Sequence, residues 1–270
     1  AKRPFFAVKS EEKGGCIYFE KEIEFDWHKG MSWQVRQRSS IAMAKVIEEM
    51  YPEKKGRILE VSTKSTNYEL GVALSALNLM YTDLETQETH TIENWFQSSK
   101  QFSRQGEVFG PYTELLNVDP KNAKRFINPN LDKKTAEQYA DSPLFNRIQS
   151  EIKGANLRSF VFLGKKYKTE PKSGFYDYIY LKALNQNQKL ANAIKEYSVF
   201  TDIEFTPRVN GRIVRYNTQA RACAIFAALS NKGLLNIALE DFDSFVDCVQ
   251  YDTDNKDEPD YYVQIKLPIF

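Results

Sequence analysis

Four segments of the chain have the apolar patterns expected of β-strands. In CIYFEKEIEFDW, charged residues alternate with apolar ones, at Ile17, Phe19, Ile23 and Phe25. This period of two predicts a strand with one face against a core. RILEV at 57–61, RSFVFLG at 158–164 and FTDIEF at 200–205 predict three further, largely buried strands.

Helical spacing marks other segments. SIAMAKVIEEM predicts a helix capped by Ser39 or Ser40 that ends before Pro52. TIENWFQSSKQF, at 91–102, has apolar residues at helical spacing. Further helices are predicted for GPYTELL, for the segment from Pro171 to Leu184, for KLANAIKEY, and for 217–233, where Gly233 ends the helix.

The order of these elements predicts an α+β fold that is rich in helix around a small sheet. Residues 117–156 are polar and predict only several short helices. We see no internal repeat and no clear linker, so we expect one domain over residues 1–235. Residues 236–270 are expected to form an acidic C-terminal appendage, in which YYVQIKLPIF either pairs as a strand or hangs loose.

Composition narrows the chemistry. The 270 residues are 42% hydrophobic and 27% charged, as in an ordinary globular protein. Three widely spaced cysteines argue against a disulfide framework or a zinc site. There are only two histidines, His28 and His90. Ser-His-Asp or Cys-His catalytic sites and metal sites with several histidines are therefore disfavoured. No signal-peptide core or apolar run of about 20 residues occurs, so we expect a cytoplasmic protein without a membrane partner.

Charge is distributed unevenly along the chain. Residues 240–260 hold nine acidic residues and one basic residue. Because the whole chain has a net charge of +1, the remaining residues carry a net charge of +9. A basic body is typical of proteins that bind phosphate or nucleic acid. A surface that merely promotes solubility is an equally good interpretation.

The first candidate site lies in TIENWFQSSKQF. Glu93, Gln97 and Lys100 follow one another at i, i+4 and i+7, so on a helix they form one polar row. Trp95 and Phe96 flank this row and would anchor the helix. A solvated helix face is the simpler interpretation of the spacing alone.

A second candidate lies at the start of NTQARACAIF. Asn217 is a suitable N-cap and Arg221 follows one turn later, so the helix N-terminus and the guanidinium could bind an anion. An arginine paired with a structural carboxylate is an equally good interpretation.

Two weaker candidates complete the set. In EPKSGFYDYIYLKAL, Lys172 and Tyr176 are four residues apart, and Asp177 lies among aromatic residues, where a carboxylate needs a partner. A structural role for Asp177 is somewhat favoured over catalysis. Lys64, in the STKST loop after the RILEV strand, could reach a phosphate or a sugar, although a loop lysine is usually just exposed. The common dinucleotide, P-loop and zinc-protease motifs are absent.

These segments together resemble the NADAR (YbiA-like) family. The matching motifs are E-x-[YWF]-[YF]-Q-x-x-K at 93–100, D-x-[MI]-Y at 177–180, and an I-E-[HF]-T segment at 203–206 followed by a helix led by Asn217. Segments such as LEVSTKS, GPYTELL and NTQARACAIF are similar to the branch of antitoxins paired with DarT-type DNA ADP-ribosyltransferase toxins. The resemblance covers roughly residues 1–235.

The resemblance implies an antitoxin that removes ADP-ribose from guanine bases in DNA, without a metal or cofactor. The expected partners are ADP-ribosylated DNA, the ADP-ribose product and a cognate DarT-type toxin from the same operon. Two departures stand out: Tyr167 occupies the place of a tryptophan found in many relatives, and PRVNGRIVRY replaces the family's N-D-x-x-W-G loop.

A mechanism follows for cleavage of the N-glycosidic bond. Glu93 is expected to stabilise an oxocarbenium-like ribose C1 or to activate water. Lys100 or Lys64 is expected to hold the ribose or diphosphate, or to attack C1 and form a transient Schiff base. Asp177 completes the catalytic candidates. The ADP-ribose-binding candidates are Gln97, Trp95, Lys172, Tyr176, Asn217 and Arg221, with Tyr180 as a further stacking residue.

Three other functions fit the sequence. The chain could be an N-glycosidase for a free nucleotide or a riboflavin-pathway intermediate, as other family members imply. It could be a non-catalytic antitoxin whose acidic stretch imitates DNA against a basic toxin. It could also bind ADP-ribose without cleaving anything.

Overall fold

The fold is known from a computed structural model that describes residues 1–9, 15–30, 32–209, 212–213 and 215–251. The strands are β1 (Lys2–Val8), β2 (Tyr18–Glu24), β3 (Ile58–Glu60), β4 (Met80–Thr82), β5 (Thr89–Thr91), β6 (Lys100–Arg104), β7 (Glu107–Phe109), β8 (Asn156–Phe162), β9 (Lys165–Tyr167), β10 (Val199–Thr201), β11 (Arg208–Val209) and β12 (Arg212–Ile213). The helices are α1 (Trp33–Met50), α2 (Ile92–Ser98), α3 (Pro120–Phe126), α4 (Lys133–Glu137), α5 (Pro143–Ile152), α6 (Gly174–Gln186), α7 (Gln188–Ala193), α8 (Gln219–Asn231), α9 (Leu235–Ala238) and α10 (Phe242–Val249).

The predicted α+β class with small sheets is confirmed. Contacts between residues divide the described chain into two compact units. The first unit contains residues 1–92 and continues from residue 170, and the second contains residues 93–169. No helix within the described ranges is long and apolar enough to cross a membrane.

The first unit is organised by a four-stranded sheet in the order β2-β1-β10-β3. β1 pairs antiparallel with both β2 and β10, whereas β10 and β3 are parallel. The alternating residues predicted from the sequence explain one face, because Ile23 and Phe25 are buried together with Phe5 of β1. Met43 and Ile47 of α1 pack in the same cluster, so α1 covers this face.

Two helices of the first unit are buried almost entirely. α8 is buried from Ala220 to Leu229, and α6 has ten buried residues. A helix that is apolar all round belongs inside a protein, and the alanines of α8 allow neighbouring elements to approach closely. Buried charged side chains on these helices must therefore find partners.

The beginning of the acidic C-terminal stretch is packed in the first unit. Phe242 and Phe245 of α10 place their ring centroids 5.6 and 5.4 Å from that of Tyr178 on α6. The predicted division at residue 235 and the appendage at 236–270 remain predictions, because YYVQIKLPIF and its surroundings lie outside the described residues.

The second unit is built on an antiparallel sheet in the order β7-β6-β8-β9. Its core gathers Phe102 of β6 with Phe126 of α3 and Phe145 and Ile148 of α5. The short helices predicted within residues 117–156 are therefore present as α3, α4 and α5, each capped by an Asp or Ser side chain.

Two predicted helix caps were wrong, and the helix predicted from Pro171 begins at Gly174 instead. α1 begins at Trp33 with Ser32 as its cap, whereas Ser39 and Ser40 lie inside the helix and their hydroxyls donate to backbone carbonyls. Likewise, Thr218 and not Asn217 caps α8. In both places the hydroxyl of the observed cap accepts from a free backbone N–H of the first turn, that of Val35 or that of Ala220.

Other predicted elements differ in extent or kind. The strand expected at 200–205 is Val199–Thr201, because the chain turns after Thr201 so that the Phe205 N–H donates to the Asp202 carbonyl. The helix expected in GPYTELL is a turn of 3₁₀-helix at Thr113–Asn117.

Candidate functional site

The predicted polar row begins on α2 but does not stay on one helix. α2 ends at Ser98, and Lys100 is the first residue of β6, paired opposite Phe160 of β8. The prediction of a helix through residue 102 was therefore wrong. The sheet hydrogen bonds to β8 determine the conformation of this segment, and a short alternating run such as KQFS fits a strand as well as a helix.

Buried side chains of the second unit hold α2 in place. Trp95 and Phe96 lie against Phe162 and Phe160 of β8, with ring centroids 5.4 and 5.6 Å apart. The Asn94 amide donates to the backbone carbonyls of Leu115 and Val118 at 2.7 and 2.8 Å. Trp95 is thus an anchor of the helix, as its flanking position suggested, and is only 6% exposed.

Glu93 and Gln97 form a buried pair on one face of α2. They are 6% and 4% exposed, and Nε2 of Gln97 donates to Oε1 of Glu93 at 2.6 Å. Oε1 of Gln97 is buried without a hydrogen-bond partner among the described residues. A buried acceptor without a partner costs free energy, so this amide is poised to accept from a ligand hydroxyl or amine.

Lys100 stands beside this pair despite its place on a strand. Burial lowers the pKa of its ammonium group from 10.5 to about 8, although the Glu93 carboxylate opposes the shift. Its Nζ lies 4.8 Å from the centroid of the Phe96 ring. A lysine with this pKa is partly neutral near pH 8, and a neutral amine is a nucleophile.

Asp177 and Arg221 form a buried ion pair in the first unit. Arg221 Nε donates to Oδ2 of Asp177 at 2.8 Å and its Nη2 donates to Oδ1 at 3.2 Å. Its Nη1 donates to the Tyr216 carbonyl at 2.6 Å, and the Tyr251 hydroxyl donates to Asp177 at 2.8 Å. Burial alone would lower the pKa of Arg221, but the Asp177 carboxylate outweighs it and raises that pKa.

This pairing favours the structural interpretation of both residues. Asp177 is fully buried and Arg221 is 5% exposed, and each nitrogen of the guanidinium donates to a protein oxygen. The pair joins α6 to α8. A structural ion pair was one of the two interpretations of Arg221 that the sequence allowed, the other being an anion-binding site.

The other candidates in the first unit, Lys172 and Tyr176, contact charged or aromatic neighbours. The Lys172 ammonium lies 3.4 Å from Glu170 and 5.9 Å from the centre of the Tyr216 ring. Tyr176 is buried, with its ring centroid 6.2 Å from that of Tyr180.

The residues that precede α8 are tied to a second buried carboxylate. The Thr218 hydroxyl, which caps the helix, also lies 3.1 Å from Oδ2 of Asp202 and donates to it. Asn217 lies just before this cap, and its Oδ1 is buried without a hydrogen-bond partner within the described ranges. Asn217 therefore offers an acceptor beside the helix N-terminus.

Sequence reasoning missed Glu60, which organises the STKST loop. One Glu60 oxygen accepts from Ser62 at 2.6 Å and from the Ile203 N–H at 2.9 Å, and the other accepts from Thr201 at 2.6 Å. Burial raises the pKa of Glu60. The Ser62 hydroxyl also accepts from the backbone N–H of Lys64 at 3.1 Å, so Glu60 fixes the loop that carries Lys64. The signal was an acidic residue among the apolar residues Ile58, Leu59 and Val61 of the segment RILEV.

Comparison with known proteins gives one informative match. The chain matches no curated protein with which it was compared. A family model described as the DarT1-associated NADAR antitoxin matches residues 1–139 and 141–259. This agrees with the resemblance seen in the sequence motifs, extends it beyond residue 235, and supports an antitoxin role with a cognate DarT toxin as partner. The chain belongs to the family of DarT1-associated NADAR antitoxins.

Proposed function

We propose that the chain is an antitoxin enzyme that hydrolyses the N-glycosidic bond between ADP-ribose and a guanine base in DNA. The observation that carries the proposal is the arrangement of Glu93, Gln97 and Lys100. A buried carboxylate is held by a neutral amide, beside a lysine with a pKa of about 8. Groups with shifted pKa values and specific partners are typical of catalytic sites.

The carboxylate suits the charge that develops in the reaction. As the bond from ribose C1 to the guanine nitrogen breaks, positive charge appears at C1. Glu93 stabilises that charge or takes a proton from the attacking water, whose oxygen forms the new bond to C1. The departing guanine nitrogen takes up a proton, and the products are free ADP-ribose and unmodified DNA.

The lysine offers a second route to the same products. A neutral Lys100 amine attacks C1, the bond to guanine breaks, and the ribose ring opens to give a Schiff base that water then hydrolyses. Lys64 is the alternative amine from the sequence analysis. Reduction with borohydride during turnover distinguishes the routes, because it fixes a Schiff base as a stable adduct on one lysine and leaves direct water attack without an adduct.

The remaining residues divide into ligand contacts and positioning residues. Gln97 offers its unpartnered Oε1 to a ribose hydroxyl or an amino group. In the first unit, Lys172, Tyr176 and Asn217 remain candidates for binding ADP-ribose. The hydrogen bonds of Arg221 and Asp177 to each other, to the Tyr216 carbonyl and to the Tyr251 hydroxyl favour a positioning role for that pair instead.

The deciding experiment uses the full chain and a DNA oligonucleotide ADP-ribosylated on guanine. Mass spectrometry is expected to show loss of the ADP-ribose mass from the DNA and release of free ADP-ribose. The Glu93→Gln variant is the inactive control. No release by the folded wild-type protein would contradict the proposal.

The same assay separates the other functions considered. Faster cleavage of a free ADP-ribosyl nucleotide than of modified DNA would identify a small-molecule enzyme. Binding of ADP-ribosylated DNA without release would identify an ADP-ribose reader. Full protection of cells from the toxin by Glu93→Gln would identify a toxin-binding antitoxin that needs no catalysis.

A further inference from the structure

A cluster of arginines and aromatic rings lies in the first unit and includes none of the candidate residues described above. The Trp27 ring has two guanidinium neighbours, Arg3 at 5.1 Å and Arg36 at 4.6 Å from the ring centroid. Arg215 is exposed and close enough to Arg3 that its charge, with that of Arg36, helps burial lower the pKa of Arg3. Positive charges that destabilise one another favour an anionic ligand.

Two carboxylates, Glu204 and Asp202, partly offset the lowering of the Arg3 pKa. Glu204 is the carboxylate paired with Arg36, but its oxygen lies 3.9 Å from Nε of Arg36, beyond hydrogen-bond distance. Asp202 is buried, and its oxygens accept from Thr218 and from the Glu204 N–H. Nε of Arg3 is buried without a hydrogen-bond acceptor in the part of the chain that the structure describes.

An aromatic stack with one exposed ring stands beside the arginines. Trp33 lies one turn before Arg36 on α1, and its ring stacks on that of Tyr68 with centroids 5.5 Å apart and planes 28° apart. Tyr68 is 56% exposed. An exposed ring of this kind offers a face on which a nucleic-acid base can stack.

The surface adjoins the loop of Lys64. Nε2 of Gln37, the residue after Arg36, donates to the Ser65 carbonyl at 3.1 Å, and Tyr68 follows the same STKST loop. A strand of DNA bound along α1 would therefore pass beside a residue already considered for ADP-ribose recognition.

We propose that Arg3, Trp27, Arg36, Trp33 and Tyr68 form a binding surface for single-stranded DNA. The guanidinium groups contact backbone phosphates, and the Trp33–Tyr68 stack receives an unpaired base. This inference rests on the proposed function for the choice of DNA as ligand. Single-stranded DNA is favoured over duplex because a base can stack on a protein ring only when it has left its neighbours.

The test measures binding of unmodified, fluorescently labelled single-stranded DNA to the full chain by anisotropy at several salt concentrations. Each phosphate contact contributes about 0.7 to the slope of log K against log salt concentration for a single strand. We expect the double variant Arg3→Gln/Arg36→Gln to lower the magnitude of that slope by about 1.4. Arg36→Lys keeps the charge and is expected to keep the slope.

The stacking residue is expected to behave differently from the arginines. Tyr68→Ala should weaken binding by about fivefold at every salt concentration, the lower range for loss of base stacking, and leave the slope unchanged. The matched control is Lys45→Gln, since Lys45 lies on the same helix, is 77% exposed, and is paired with Glu49 at the opposite end from Arg36. It should bind as the wild type does.

Three outcomes would overturn the proposal. One is an unchanged salt slope in the double arginine variant, with circular dichroism showing an intact fold. Another is an equal loss in Lys45→Gln, which would indicate only diffuse charge attraction. The third is loss of binding to purified toxin without loss of DNA binding, which would assign the surface to a protein partner. Because the DNA is unmodified and no turnover is measured, these outcomes are independent of whether ADP-ribose is hydrolysed.

Discussion

Two buried carboxylates have opposite surroundings in this protein. Asp177, in the first unit, faces an arginine that meets both of its oxygens, and a tyrosine hydroxyl adds a third hydrogen bond. Glu93, in the second unit, is held by the neutral amide of Gln97 and influences a lysine of lowered pKa.

The difference separates a structural role from a chemical one. A buried carboxylate whose two oxygens already accept from a cation and a hydroxyl has less left to offer a substrate. A carboxylate held by an amide retains acceptor capacity for a developing positive charge. The two sites therefore predict opposite results when each is altered.

The largest expected effect is on turnover in the second unit. Glu93→Gln should lower the rate of ADP-ribose release by about 10²–10⁴-fold, as loss of such a group typically does, with little change in stability. Single-turnover release from ADP-ribosylated DNA measures it. Glu107→Gln alters an exposed carboxylate of β7 and should retain the wild-type rate; an active Glu93→Gln protein would remove the contrast between the two sites.

The reverse pattern is expected for the ion pair. Arg221→Met leaves Asp177 buried without its cation and should lower the free energy of unfolding by about 3–5 kcal/mol, measured by urea denaturation. The double variant Arg221→Met/Asp177→Leu should regain much of this loss, because a buried pair can be replaced by apolar groups. A single variant as stable as the wild type would refute the structural role.

The lysine makes the second site sensitive to pH. If the Lys100 amine is the nucleophile, release should rise about tenfold per pH unit below its pKa of about 8 and level off above it. Lys100→Arg should abolish this dependence. A flat wild-type profile between pH 6 and 9 would exclude Lys100 as the attacking group.

The same shifted pKa makes a prediction for stability. The folded-state pKa of Lys100 is lowered to about 8 from 10.5, so between these values the unfolded chain binds the extra proton. Stability should therefore rise with pH across that window. Below about pH 8 the group is protonated in both states, so its cost to stability is at its largest and no longer changes with pH. Comparing urea denaturation of wild type and Lys100→Gln at pH 7 and pH 10 isolates the contribution.

The smallest effect concerns the third hydrogen bond to Asp177. Tyr251→Phe removes the hydroxyl that donates to Oδ2 and should lower the free energy of unfolding by about 1.5 kcal/mol, near the lower value for a hydrogen bond to a charged group. The rate of release should change little. A loss as large as that of Arg221→Met would mean that Tyr251 is a principal support of the pair.

The sequence predicted those parts of the fold that depend on local pattern. The alternation in β2 and the apolar helices α6 and α8 were visible because burial repeats with the period of the element. The change from helix to strand at Lys100 was not visible, since it depends on hydrogen bonds to β8, nearly 60 residues away. The start of α1 was missed because its first turns, WQVRQR, are largely polar.

The candidate site was predictable to a similar degree. The burial of Glu93 and Gln97 contradicts the solvated helix face that was the simpler interpretation of their spacing. The partner of Asp177 could not be chosen from the sequence, because Arg221 is 44 residues away. Tyr251 was missed because its neighbourhood was interpreted as an acidic appendage, and Glu60 because a carboxylate in a short apolar strand was given no role.

The packing of the last described helix sets a limit on shortening the chain. Phe242 and Phe245 rest on α6, and the hydroxyl of Tyr251 reaches its buried carboxylate. Cutting at residue 235, where the sequence suggested a boundary, would strip an aromatic cover from the molecule and open Asp177 to water. A stable shortened version should keep every residue through 251.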